Sequence, residues 1–74
     1  MEDSRIVCNP KILLGKPTIS GTRVSVELIL ESIAAGETIE SLLVDFPFLS
    51  REDIVAALTY AAEHVSAAPA RALA

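Results

Sequence analysis

The side chains that could carry out chemistry in this chain are few and far apart. There is one cysteine, Cys8, and one histidine, His64, and neither has a second ligand at the spacing of a zinc site. Seven of the ten carboxylates are scattered over the outer faces of predicted helices, and the chain has no serine, histidine and aspartate set and no glycine-rich phosphate loop. The sequence therefore predicts that the protein is not an enzyme and has no metal, cofactor or small-molecule substrate.

The reactive side chains that are present are better explained by packing. Cys8 has no basic neighbour in the sequence, so we expect a small buried side chain rather than a reactive thiol. Tyr60 and His64 are spaced by one helical turn and share one face of a predicted helix. For Tyr60 this spacing favours a packing role at an interface over catalysis. His64 lies near the end of the helix and is better explained as a surface residue that suits the helix dipole.

Phosphate binding at the start of a helix is the chemistry that the spacing favours. A predicted helix of about eight residues ends before Pro47, and a longer helix capped by Ser50 follows, which is the layout of a helix-turn-helix. The first turns of the second helix would face a DNA groove, with the N-terminal amides directed at phosphates. The candidate DNA contacts are Lys16, Arg23, Ser50, Arg51, Val55 and Thr59.

The charge distribution argues against strong DNA binding. The net charge is −4, with four Lys or Arg against two acidic residues in residues 1–24, and two against eight in residues 25–74. Tight binding to phosphates needs several cations on the docking face. A plain three-helix core would show the same spacing, so a scaffold that does not touch nucleic acid stays open. For Arg23, a salt bridge or a role in fixing a hairpin also stays open.

An N-terminal arm and hairpin over residues 5–24 must position two of the candidate DNA contacts, Lys16 and Arg23. Gly21 can adopt a positive φ without a Cβ clash. We therefore expect a tight hairpin in which segment 17–19 pairs with segment 22–24 around Gly21. The apolar segment 11–15 is expected to pack against the helices.

Three helices are predicted over residues 25–68. Each follows a residue that favours the N-cap, and apolar residues recur at helical spacing behind each cap. The helices are about 26–35 after Ser25, 39–46 after Thr38, and 51–68 after Ser50, where Asp53 completes a capping box. We therefore predict one domain, 1–74, that is mainly α with a small N-terminal β arm and hairpin. Residues 69–74 are expected to fray.

The size and composition predict that the chain associates with itself. A domain of this size obtains only about 3–5 kcal/mol from its own core. Half of the chain is hydrophobic and a single cysteine allows no internal disulfide, so we expect a homodimer or an obligate complex. The acidic residues 2–3 do not suit a signal peptide, and the longest apolar run is too short to span a bilayer. The expectation is a soluble cytoplasmic protein without membrane contact.

One stretch has a specific pattern of glycine, proline and threonine: Gly15-Lys16-Pro17-Thr18-Ile19-Ser20-Gly21-Thr22-Arg23-Val24. A later stretch continues it with Asp45-Phe46-Pro47 and Arg51-Glu52-Asp53-Ile54. Together they make the chain resemble, from about Arg5 to Glu63, the family called domain of unknown function 433. The matched positions are Gly15, Pro17, Gly21, Thr22 and Arg23 in the hairpin, and Asp45, Pro47 and Leu49 at the turn.

The resemblance implies a winged-helix or homeodomain-like helix-turn-helix. It also implies an antitoxin of a bacterial or archaeal type II toxin–antitoxin pair, whose partner is a neighbouring toxin that resembles PIN-domain ribonucleases. Operator DNA is the second partner that it implies, and no catalytic residue is carried over. Two other functions stay open: a stand-alone DNA-binding regulator, and a dimeric interaction module that does not bind nucleic acid.

Overall fold

The computed structural model describes residues 5–65, and in this part of the chain two short strands precede three helices. The elements are β1 (Ile6–Cys8), a 3-10 turn (Leu13–Gly15), β2 (Pro17–Ile19), α1 (Val26–Ala34), α2 (Ile39–Asp45) and α3 (Arg51–Val65). This order confirms the mainly helical class and is compatible with a small helix-turn-helix fold. Within the described range, no helix is long and apolar enough to cross a bilayer.

The two strands pair antiparallel, so the partner of β2 is β1 and not the segment that was predicted. Ile6 lies opposite Ile19, and Cys8 lies opposite Pro17. The segment 22–24 was expected to be the partner of β2, and this is corrected. Segment 22–24 makes one bond with β2, in which the Ile19 N–H donates to the Val24 carbonyl at 2.9 Å. One isolated bridge, between Thr18 and Ser25, follows, and the pairing ends there. The next residues cap α1, so no chain is left to extend a second ladder.

The turn after β2 depends on a glycine and on a threonine hydroxyl. Gly21 has a φ of +79°, as expected from its place in the turn. The Thr22 hydroxyl donates to the Ile19 carbonyl at 2.8 Å and accepts the Val24 N–H at 3.0 Å. These bonds fix the path by which the chain leaves the sheet and enters α1.

Replacing Gly21 with valine is expected to cost about 1–2 kcal/mol of the free energy of unfolding, because a β-branched residue is strained at positive φ. A Cβ at this position would meet no atom within 4 Å, so the cost would come from the backbone alone. Urea titration measures it. The control is Gly21→Asn, since asparagine tolerates this conformation and should lose less. Equal midpoints for Gly21→Val and the wild type would contradict the prediction.

The segment 11–15 does not pack against the helices as expected, which is a second correction. Leu14 is 95% exposed, and both Leu13 and Leu14 have positive φ. The Gly15 N–H donates to the Ile12 carbonyl at 3.0 Å, and the Lys16 N–H donates to the Leu13 carbonyl at 3.1 Å. The loop therefore closes on itself, and its left-handed turn leaves the leucine side chains on the surface.

The first two helices begin at the predicted caps and end within one residue of the predicted bounds. The Ser25 hydroxyl accepts the Leu28 N–H at 2.9 Å. Thr38 and Ser41 exchange two such bonds, each 3.0 Å long. Gly36 follows α1 with a φ of +103°, the left-handed conformation typical of the C′ position.

Helix α3 begins with the predicted capping box. The Ser50 N–H donates to Asp53 Oδ2 at 3.0 Å, and the Asp53 N–H donates to the Ser50 hydroxyl at 3.2 Å. Arg5 donates a second hydrogen bond to this carboxylate, to Asp53 Oδ1 at 2.8 Å, and so ties the N-terminal arm to the start of α3. The predictions for residues 66–68 and 69–74 lie outside the described residues.

The core is built from side chains that the helices and β2 direct to a common centre. Each helix contributes a side chain with almost no exposure: Ile29 from α1, Leu42 from α2 and Ile54 from α3. The full set of buried apolar residues is Ile19, Val24, Val26, Ile29, Leu42, Leu49, Ile54 and Ala57. Packing of α1 against both other helices leaves one side of α3 turned away from this core.

Candidate docking groove on helix α3

The outer side of α3 and the N-terminal arm enclose a groove of about 610 Å³. The arm contributes Arg5 and Ile6, and β1 lies against α3 along this line. The residues contributed by the helix are Arg51, Glu52, Val55, Ala56, Thr59, Tyr60 and Glu63. Since they recur at helical spacing, they form one continuous surface, which we call the α3 face.

Charged side chains stand at the two ends of the α3 face, with uncharged side chains between them. Arg51 stands at its N-terminal end and Glu63 at its C-terminal end, and both line the groove. Between them lie Val55, which is 46% exposed, and Thr59, which is exposed. The surface therefore carries Arg51 beside Glu52 at one end, is largely apolar in the middle and carries Glu63 at the other end.

Three of the six predicted DNA contacts come together on the α3 face, namely Arg51, Val55 and Thr59. Ser50 sits at the N-cap, half-buried, with its hydroxyl used in the capping box. Lys16 and Arg23 are exposed but do not line the groove. Their assignment as DNA contacts stays a prediction.

Most cations of the described residues already contact a carboxylate. Arg51 binds Glu40 on α2, and Lys16 Nζ lies 2.8 Å from Glu27 Oε1 on α1. The hydrogen bond to Glu27, followed by the charge of this group, raises the pKa of Lys16, and the same contact lowers the pKa of Glu27. Such pairing leaves little positive charge for phosphates, and DNA releases counterions only where a protein cation neutralises a phosphate. Arg23 makes no salt bridge within residues 5–65.

The residues of the specific motif have structural positions. Gly15 and Gly21 both have positive φ, Pro17 starts β2 and Thr22 ties the turn. At the second stretch Asp45 ends α2, Pro47 lies in the connection to α3 and Leu49 is buried in the core. The motif residues thus lie in the segment before α1 and at the turn after α2. None of them is a nucleophile or part of a set of metal ligands.

Tyr60 and His64 pack against each other in the C-terminal half of α3. The rings of Tyr60 and His64 lie 4.1 Å apart, and His64 Nδ1 donates to the Tyr60 carbonyl at 2.9 Å. Burial, and then a hydrogen bond with Cys8, raises the pKa of Tyr60. Cys8 itself is exposed, which corrects the expectation of a buried side chain, because β1 ends there and the chain enters an exposed turn.

Residues 5–65 contain no group of three or more His, Cys, Asp or Glu side chains that could hold a metal ion. The groove residues that were not among the predicted contacts are Arg5, Ile6, Glu52, Ala56, Tyr60 and Glu63. Glu63 could have been found by extending the four-residue spacing of Arg51, Val55 and Thr59. Ile6 could not, since its place depends on how β1 packs against α3.

Comparison with known proteins gives a family and one relative without a described role. The chain is 41% identical over 56 residues to "Uncharacterized protein y4eO" of Sinorhizobium fredii (strain NBRC 101917 / NGR234). The match covers 76% of this chain and 25% of that protein, so the chain spans about a quarter of the length of the curated relative. No solved structure matches significantly. The model of the family described as "Protein of unknown function (DUF433)" matches residues 6–61, and the chain belongs to this family.

Proposed function

We propose that this protein is an antitoxin that neutralises a partner ribonuclease of the PIN-like class by covering its nucleic-acid-binding surface. The observation that carries the proposal is an exposed apolar and acidic surface along α2 and the turn after it. Val44 is 77% exposed and Phe48 is 64% exposed. Glu40 lies one turn before Val44 on α2, and Glu37 is exposed just before the helix begins. We call these four residues the α2 face.

The α2 face has the composition of a protein-binding surface. The ring of Phe48 packs edge-on against Phe46, with centroids 6.1 Å apart, so it is held in place although it is exposed. A fixed aromatic ring beside a second apolar side chain is typical of an interface centre. The flanking carboxylates suit a partner that binds RNA, because such a protein must present lysines and arginines to phosphates. Glu40 can exchange its exposed pair with Arg51 at little cost.

The experiment is co-expression of the full chain with the product of the neighbouring reading frame, followed by co-purification and a measurement of ribonuclease inhibition. We expect Phe48→Asp and Val44→Asp each to weaken the complex by about thirtyfold, the effect of losing a residue at an interface centre. The matched control is Leu14→Asp. Leu14 is an exposed apolar residue outside the α2 face, and its replacement should leave the complex intact.

Two results would contradict the proposal. One is a neighbouring product that neither co-purifies with the chain nor is inhibited by it. The other is a complex that is equally stable in Phe48→Asp, Val44→Asp and the control, which would place the partner on another surface.

A DNA-binding regulator is the second candidate, and the observation in its favour is the arrangement of α2, α3 and the connection between them. This connection places Ser50 at the N-cap and leaves Arg51 exposed at the start of α3. Charge weakens the candidate, since residues 5–65 hold five Lys or Arg against eight carboxylates. Operator binding by the free protein should therefore be weak and sensitive to salt.

A further inference from the structure

We infer that the α3 face is the contact between two copies of this chain, with the two α3 helices antiparallel about a twofold axis. The inference goes beyond the proposed function, because the ribonuclease partner would use the α2 face. It starts from the order of charges along α3. Arg51 and Glu63 mark opposite ends of a groove whose middle is formed by Val55 and Thr59.

The spacing along the helix makes this surface complementary to itself. Arg51 and Glu63 are separated by about 18 Å along α3, at about 1.5 Å per residue. When two such helices run antiparallel, Arg51 of each copy lies opposite Glu63 of the other, and Val55 lies opposite Thr59. A twofold axis therefore produces two ion pairs and one closed, mostly apolar centre from a single surface.

The side chains around the centre suit a close helix contact. Ala56 and Thr59 are small, and small residues at a crossing let two helices approach to the short end of the usual 8–10 Å range. Ile6 and Tyr60 form the apolar wall on the β1 side of the groove. Removing this surface from water provides the stabilisation that exposed ion pairs alone do not give.

The same face is less suited to DNA. Glu52 and Glu63 line it together with Arg51, so carboxylates would approach the phosphates. The pair between Arg51 and Glu40 does not prevent a contact with a second chain, because a guanidinium has five N–H donors and can serve two carboxylates. The charges of the α3 face therefore favour a second copy over nucleic acid.

Sedimentation of the full chain tests the inference. The wild type should be a dimer at low micromolar concentration. Arg51→Glu and Glu63→Arg should each raise the dissociation constant by about tenfold or more, since each change acts at two symmetry-related pairs. The double variant, with both charges exchanged, should restore the dimer. Glu40→Gln is the matched control, because it removes the contact of Arg51 within the chain and should leave the dimer intact.

A second pair of variants separates this inference from the proposed function. Val55→Asp places two carboxylates near the axis and should give a folded monomer by circular dichroism, whereas Val44→Asp should stay dimeric. A monomeric wild type, or charge variants that leave sedimentation unchanged, would overturn the inference. So would a double variant as weak as the single ones. Loss of binding to promoter DNA in Arg51→Glu, with sedimentation unchanged, would instead assign the α3 face to DNA.

Discussion

Replacing Ile29 with alanine is expected to unfold a large part of the protein population. Ile29 has no exposed surface and packs in the centre of the core. Truncation of a buried isoleucine costs about 2–5 kcal/mol, through lost burial and the cavity that remains. The core of a domain this small supplies only about 3–5 kcal/mol. Far-UV circular dichroism and urea titration would show the loss directly.

The control for this change is Leu28→Ala in the same helix. Leu28 is partly exposed, so less of its apolar surface is returned to water and no closed cavity is left. We expect a loss of about 1 kcal/mol or less, as for surface substitutions in general. Similar urea midpoints for the two variants would show that the core is not centred on Ile29.

The helices could be predicted from the sequence because their signals are local. Ser25, Thr38 and Ser50 each accept the N–H of a residue three positions later, and this spacing is visible in the sequence. Gly36 stops α1 because it adopts a conformation that other residues avoid. These interactions involve residues within one turn of one another, so the three caps and the end of α1 can be predicted without knowledge of the rest of the fold.

The sheet could not be predicted, because its pairing is not local. Segment 22–24 was predicted to pair with β2 because only a short turn separates them. The strand that pairs with β2 is β1, which precedes it in the chain by the loop 9–16. Nothing in a three-residue strand specifies which neighbour it joins. The exposure of Leu14 was missed for a related reason. Its apolar character favours burial, but the left-handed turn that exposes it is fixed by bonds of the loop backbone.

The candidate site was predicted in part. Helical spacing placed Arg51, Val55 and Thr59 on one face, and the structure brings them together in the groove. The contact of Arg51 with Glu40 joins residues on two helices, and the contact of Arg5 with Asp53 joins the arm to α3. Such pairs depend on tertiary packing. They change the chemistry of the site, because a cation that contacts a carboxylate is less available to phosphates.

Replacing Asp53 with alanine is expected to lower the free energy of unfolding by about 2–3 kcal/mol at neutral pH, from a lost cap and a lost charged hydrogen bond. The carboxylate accepts the Ser50 N–H at the start of α3 and the Arg5 guanidinium of the arm. Its side chain is only 16% exposed, so solvent screens these contacts less than those of the surface pairs. Urea titrations of the two proteins measure the difference.

The same substitution should show a defined pH dependence. Partial burial raises the pKa of Asp53, but hydrogen bonds from Ser50 and Arg5 outweigh it and hold the pKa below the ordinary value of 3.8. A carboxylate with a lowered pKa in the folded state stabilises fully above the pKa of the unfolded chain, and the contribution is lost as the pH falls through the folded pKa. The difference between wild type and Asp53→Ala should therefore be complete at neutral pH and shrink below about pH 4.

The control for the pH series is Asp45→Ala. Asp45 is exposed at the end of α2, where a negative charge meets the negative end of the helix dipole, so its removal should cost little at any pH. A difference between wild type and Asp53→Ala that stays constant into acid would contradict the prediction, because the stabilisation would then not depend on the charge of Asp53. A difference that disappears in acid would show that an ionised carboxylate anchors the N-terminal arm to α3, at the N-terminal end of the groove where Arg5 lies.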